Sequence, residues 1–139
     1  MRLVMKRERV DAVTERWTDD RGKLEITSPR PGIVLQRFEG HACAPMADAI
    51  IGRLEAEIFS HGTIVVFDDW AEATGYDSEV RLKLTEWTGK HEAQVRETHV
   101  LLRSKLIAMG MAVANLALGG HLRTYTNRTA FEAARARVR

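Results

Sequence analysis

An apolar, β-branched run, Thr63-Ile64-Val65-Val66-Phe67, follows a glycine and leads through Asp68, Asp69 and Trp70 to Asp77-Ser78-Glu79-Val80, where a helix opens. A short apolar run between turn signals is the pattern of a fully buried strand. A buried strand that passes through a polar loop to a helix N-terminus is where α/β folds tend to keep their binding sites. The rest of the chain arranges itself around this strand.

Before it, Lys23–Thr27 alternates apolar and polar residues, Ser28-Pro29-Arg30-Pro31-Gly32 breaks the chain, and Ile33–Glu39 resumes as a second strand. Together they predict an antiparallel hairpin. Pro45 suits the first turn of a helix. Met46, Ala47, Ile50, Ile51, Leu54 and Ile58 recur at three- and four-residue steps, and Gly62 stands where the helix should stop. After the central strand, the spacing predicts a helix from Glu79 to about Val95, with Val80, Leu84 and Trp87 on its inner face. A strand over Thr98–Arg103, an apolar helix over Leu106–Leu118, a short strand over His121–Thr126 and a final helix over Arg128–Arg137 follow. The order β-β-α-β-α-β-α-β-α predicts an α/β fold: an opening β-hairpin, then alternating strands and helices, in a mixed and mostly parallel sheet with packed helices.

Residues 1–22 carry six bases and five acids and end in the turn signal Asp19-Asp20-Arg21-Gly22. They read as a charged N-terminal appendage whose Trp17 packs on the body, ahead of a single domain over residues 23–139. The net charge is only +2, which gives no global electrostatic case for nucleic acid. Its distribution is uneven: Thr63–Val80 holds five acids and no Lys or Arg, whereas the chain from Val100 onward holds seven bases and one acid. The single cysteine, Cys43, leaves no internal disulfide and fits a reducing, cytoplasmic setting. Met1–Arg7 lacks the apolar core of a signal peptide, and Leu106–Leu118 is too short to span a membrane.

The order of elements, with Asp77-Ser78 opening the helix after the middle strand, resembles the STAS domain, and more closely its single-domain branch described as STAS/SEC14-like. This is the fold of bacterial anti-sigma-factor antagonists and of the cytoplasmic tails of sulfate transporters. The resemblance spans roughly Lys23–Val138 and implies a non-enzymatic regulatory module that binds a protein partner. In the antagonists the loop reads Asp-Ser-Ser-Gly or Asp-Ser-Thr-Gly, and the residue after Asp-Ser is phosphorylated by a partner kinase. Here that position is Glu79, and the glycine is Val80. Three readings stay open: Glu79 supplies a permanent negative charge near the helix N-terminus, Ser78 is phosphorylated instead, or Asp77 and Glu79 simply cap the helix.

The residues expected to meet a partner are Asp68, Asp69, Trp70, Tyr76, Asp77, Ser78 and Glu79, in an acidic, aromatic-bearing loop over Trp70–Glu79. Asp68-Asp69 offers too few convergent oxygens for a hard cation, and the scattered histidines and His41-Ala42-Cys43 do not make a zinc set. No metal, cofactor or catalytic residue is expected. Nucleophile elbows and glycine-rich phosphate loops are absent from the sequence. Leu106–Leu118 is apolar nearly all round, with small residues four apart (Ala108 and Ala112, Gly110 and Ala114). Such a helix is buried on both sides, forms a homodimer contact or partner groove, or walls a pocket for a small apolar or lipid-like ligand.

Overall fold

The computed structural model describes residues 5–138. Part of the Met1–Arg7 stretch considered above, Met1–Val4, lies outside them. Seven strands form one sheet in the order of the chain: β1 (Lys6–Arg9), β2 (Thr14–Thr18), β3 (Gly22–Arg30), β4 (Ile33–Ala42), β5 (Ile64–Tyr76), β6 (Val95–Leu102) and β7 (Leu122–Tyr125). The pairings β1–β2, β2–β3 and β3–β4 are antiparallel, and β4–β5, β5–β6 and β6–β7 are parallel. Each parallel step needs a crossover, and helices supply it: α1 (Ala44–His61), α2 (Ser78–Lys90) and α3 (Lys105–Ala117). A fourth helix, α4 (Arg128–Arg137), follows β7.

The two faces of the sheet have different cores. Trp17, Leu24, Ile26, Val34, Phe38, Val66, Val100 and Leu102 pack against Met46, Ile50 and Leu54 of α1, Trp87 of α2 and Ile107 of α3. On the other face Ile33, Val65, Phe67 and Leu101 pack against Phe131 and Ala134 of α4. Alternate residues of the central strands thus go to opposite cores, which is why these strands read as unbroken apolar runs. The β3–β4 turn is Pro31-Gly32, where Gly32 takes φ 79°, a conformation open to glycine at little cost.

The hairpin, the strand–helix alternation and the mixed sheet stand as expected. Several details differ. Residues 6–18, expected as an appendage, contribute β1 and β2, which pair into the same sheet; Trp17 is buried as anticipated. Helix α2 stops at Lys90, short of Val95. His91 stacks on Trp87 (centroids 4.2 Å apart) and its Nδ1 lies 2.8 Å from the Trp87 carbonyl oxygen, and Val95 already belongs to β6.

The larger correction concerns Trp70–Tyr76. It is no loop but the second half of β5, a strand of 13 residues. Ala71-Glu72-Ala73-Thr74-Gly75 alternates buried and exposed positions, and the end of β4, Glu39–Ala42, supplies its partner. Two irregularities accompany the extension. Arg37–Glu39 spans two steps opposite three in Asp69–Glu72, and Gly40–His41 spans one step opposite two in Ala73–Gly75. An extra residue at each place re-aims the side chains that follow.

Candidate functional site

Strand alternation separates the two acids that stand side by side in the sequence. Asp69 faces α4. It is 3% exposed and accepts a two-pronged hydrogen bond from Arg128 (Nη1–Oδ2 2.9 Å, Nη2–Oδ1 3.1 Å) and a longer one from Arg37 Nε (3.3 Å). Burial alone would raise its pKa. The hydrogen bonds and charge of Arg128, with the Ala71 N–H and Arg37, outweigh it and hold the carboxyl below its ordinary value. Asp69 is therefore an ionised clasp between β5 and α4.

Asp68 points the other way, into the space between the sheet and α1–α3. Among the described residues no cation meets it: its Oδ1 has no hydrogen-bond partner, and burial pushes its pKa up to about 8. Facing opposite sides of one strand, the two carboxylates cannot converge on a shared ion. Among the described residues no group of three His, Cys, Asp or Glu side chains could hold a metal.

Around Asp68 lies a cavity of about 100 Å³. Its walls are mostly apolar residues of the sheet and of α1–α3, joined by Thr98 of β6 and by Arg81, Thr85 and Thr88 of α2, with Gly110 and Ala114 presenting the thin side of α3. Three buried polar atoms in its lining lack any partner: Gln36 Oε1, Asp68 Oδ1 and Trp70 Nε1. Gln36 is paired with Asp68 across β4–β5, and Trp70 stands two residues further along β5 on the same face. Tyr76 also lines the cavity, its ring against Gly110 of α3.

Only the last part of the expected contact surface is on the outside. Asp77 is the N-cap residue of α2, but its side chain makes no capping bond. Instead Oδ1 lies 2.8 Å from His41 Nε2 and 3.8 Å from Arg21 Nη1, which ties the helix start to the end of β4. Ser78 and Glu79 are exposed on the first turn, and Val80 is buried. Of the seven expected residues, then, Asp68, Trp70 and Tyr76 line the interior, Asp69 faces α4, and Asp77, Ser78 and Glu79 form an acidic edge.

Gln36 was absent from the expected set. Its signal was a polar residue between Val34 and Phe38, at a strand position whose i±2 neighbours are both apolar. The partnership of Asp69 with Arg128, 59 residues away, had no local signal.

Helix α3 buries one side and leaves the other open. Ile107, Gly110 and Ala114 face inward, while Leu106 (62%), Met109 (68%), Val113 (55%) and Leu116 (84%) are exposed. Their spacing of three, four and three residues places them in one stripe.

No family model matches the chain, and no curated protein does. Solved structures do. An uncharacterized protein of the DUF3478 family with a SpoIIAA-like fold, from Shewanella loihica PV-4, superposes with a TM-score of 0.58 at 13% identity, covering 95% of this chain and 92% of that one. The Bacillus cell fate determinant SpoIIAA in its phosphorylated form gives a TM-score of 0.61 at 16% identity, over 80% of this chain and 98% of that one. The anti-sigma factor antagonist SpoIIAA in its unphosphorylated form gives 0.59 at 16% identity, over 84% and 99%. At such identities the likeness is one of fold, and it agrees with the order of elements and the mixed sheet: this chain is built on the SpoIIAA-like, STAS-type fold.

Proposed function

We propose that this chain is a non-catalytic regulatory module that captures a protein partner across the start of α2 and the outer face of α3. The observation that carries the reading is the apolar stripe Leu106, Met109, Val113 and Leu116, open to solvent on a helix that neighbours α2. A contiguous exposed apolar surface of this kind is characteristic of interaction sites. Both helices begin beyond the C-terminal ends of parallel strands, so the acidic first turn Asp77-Ser78-Glu79 shares an edge of the sheet with the head of the stripe. The described likeness to an anti-sigma factor antagonist supports a protein rather than a nucleic acid as the partner.

Within this reading Glu79 gives the helix N-terminus a fixed negative charge, which the helix dipole favours by about 0.3–1 kcal/mol. Ser78, exposed beside it, is the one hydroxyl placed for modification in that turn. The inward-facing Asp68, Asp69, Trp70 and Tyr76 shape the platform without touching the partner.

The test is cross-linking in the source cell, identification of the cross-linked partner, and a titration with both proteins purified. Met109→Asp together with Leu116→Asp should weaken binding at least tenfold, since each apolar side chain buried is worth about 1.5–3 kcal/mol. Glu79→Lys should weaken it by a smaller factor and make it less sensitive to salt. Unchanged affinity in both variants would remove this face from the interface. A stable dimer in sedimentation, dissolved by the α3 substitutions, would assign the stripe to self-association instead.

A further inference from the structure

We propose that the cavity between the sheet and α1–α3 is a ligand site for a small, mostly apolar molecule carrying one uncharged hydrogen-bonding head, such as a short-chain alcohol or ketone, with the head seated on Gln36, Asp68 and Trp70. The proposal is independent of the partner surface, because these side chains point into the interior and the apolar stripe of α3 points out.

The first support is the concentration of unmet hydrogen bonding on one wall. Leaving a buried polar group unpaired costs about 1–3 kcal/mol, and nearly all such groups in native proteins find partners. Among the described residues five buried side-chain atoms have none, and three of the five line this one cavity. They also form a compact set. Gln36 and Asp68 are register partners on adjacent strands, whose backbones run about 4.8 Å apart, and Trp70 stands two residues along β5, about 6.6 Å of backbone further on. One hydroxyl group, accepting from one side chain and donating to another, or one carbonyl oxygen accepting from two, suits such a set.

The second support is the nature of the remaining walls. Polar groups are few there (Tyr76, Arg81, Thr85, Thr88 and Thr98), and Phe38, Ile50, Leu54, Val66, Val100 and Met111 offer nothing to a water molecule, which needs two to four polar partners to be held. Water at the polar wall alone would leave the apolar remainder empty. A molecule with a polar end and an apolar body satisfies both. The volume, about 100 Å³, is somewhat below the ~150 Å³ at which an apolar cavity accepts benzene, so the body is smaller than a benzene ring, on the order of a short chain.

The third support concerns charge. No cation pairs with Asp68, and burial keeps it protonated near neutral pH, so its carboxyl can donate as well as accept. The Trp70 N–H donates, and the Gln36 carboxamide does either. A wall of neutral donors and acceptors selects an uncharged head. An anionic or cationic head seated on these three would be stripped of water with no opposite charge among them; the one cation of the lining, Arg81, stands on α2 and not on this wall.

The experiment uses the full chain and three small probes of similar size: 1-butanol, 1-chlorobutane and propionate. 1-Butanol should shift the Trp70 indole N–H resonance and the methyl signals of the cavity lining, with saturation at millimolar concentration or below. 1-Chlorobutane should bind at least tenfold more weakly, and propionate should leave the Trp70 resonance unchanged. Gln36→Leu and Trp70→Phe, which retain apolar bulk while removing head contacts, should each reduce 1-butanol binding several-fold while sparing 1-chlorobutane. If either variant fails to fold, the other carries the test. Three outcomes would overturn the proposal: a cavity that holds only water, with no probe bound at millimolar concentration; equal binding of 1-butanol and 1-chlorobutane that both substitutions leave unchanged; or propionate bound more tightly than 1-butanol and released by Arg81→Gln, which would assign the cavity to an anion.

Discussion

Asp68→Asn keeps the size of a protonated aspartic acid and retains a donor and an acceptor, but removes the titrating proton. In the folded chain the Asp68 carboxyl titrates near 8, and in the unfolded chain near the ordinary 3.8. Between those values the native state holds one proton that the unfolded state has released. Stability therefore falls as pH rises, by about 1.4 kcal/mol per pH unit, a slope set by one proton whatever the upper pKa. From pH 5 to pH 7 the wild type should lose about 3 kcal/mol that Asp68→Asn does not lose. For a chain of this length that is roughly 10 °C in Tm. Urea denaturation at pH 5, 6, 7 and 8 measures it, provided the two proteins are compared at each pH, because His99 and the other titrating groups then cancel. The variant should gain steadily on the wild type across this range. A difference constant from pH 5 to pH 8 would mean that Asp68 is ionised in the folded chain, and the neutral wall of the cavity would go with it.

Arg128→Ala should cost about 2–3 kcal/mol at pH 7 by chemical denaturation, less than a fully buried pair because the Arg128 side chain is half-exposed and Arg37 remains beside Asp69. Since the Asp69 carboxyl is held below 3.8, its contribution is complete above that pH and fades as pH falls through the folded value, so the gap between wild type and variant should close in acid. A cost under about 0.5 kcal/mol at pH 7 would show that Arg128 is not the main counter-charge. A Cβ added at Gly110 would stand 1.9 Å from the Tyr76 hydroxyl oxygen. Gly110→Ala should thus lose about 1–2 kcal/mol despite the gain of roughly 1 kcal/mol in helix propensity, and Tyr76→Phe in the same chain should recover part of it. Purely additive losses in that double-mutant cycle would deny the contact.

What was legible in the sequence is what local pattern controls. The period of apolar residues located the helices and the core strands, Pro45 and Gly62 marked the ends of α1, and a lone Trp in a charged segment, Trp17, is buried as its chemistry demands. What was not legible depends on partners distant in the chain. Residues 6–18 are charged in sequence, yet pairing with β3 makes strands of them, and their charges find distant partners: Arg16 with Glu25 of β3, and Glu15 with Arg7 of β1 and Arg53 of α1. Trp70–Tyr76 combines acids, small residues and a glycine, which read locally as a loop. It extends β5 because β4 runs on beside it to Ala42 and supplies the hydrogen bonds. The alternation of Ala71, Glu72, Ala73 and Thr74 was the visible sign of that strand, masked by the low strand propensity of its residues.

The acid pair shows most clearly how one strand serves two purposes. Burying two carboxylates in the centre of a sheet costs several kcal/mol each unless the charge is matched or removed. Asp69, on the α4 side, is matched by Arg128 and stays ionised, which fastens the last helix to the sheet. Asp68, on the other side, meets no cation and gives up its charge by keeping its proton. The first arrangement completes the fold and leaves nothing for a ligand to do. The second leaves an unpartnered carboxyl oxygen beside two more unpartnered groups in an apolar cavity, a cost that folding alone does not explain and that a bound molecule with a neutral head would offset. The chemistry of β5 is therefore directed inward, at Asp68, and the proposed contact with a protein falls to the start of α2 and the open face of α3.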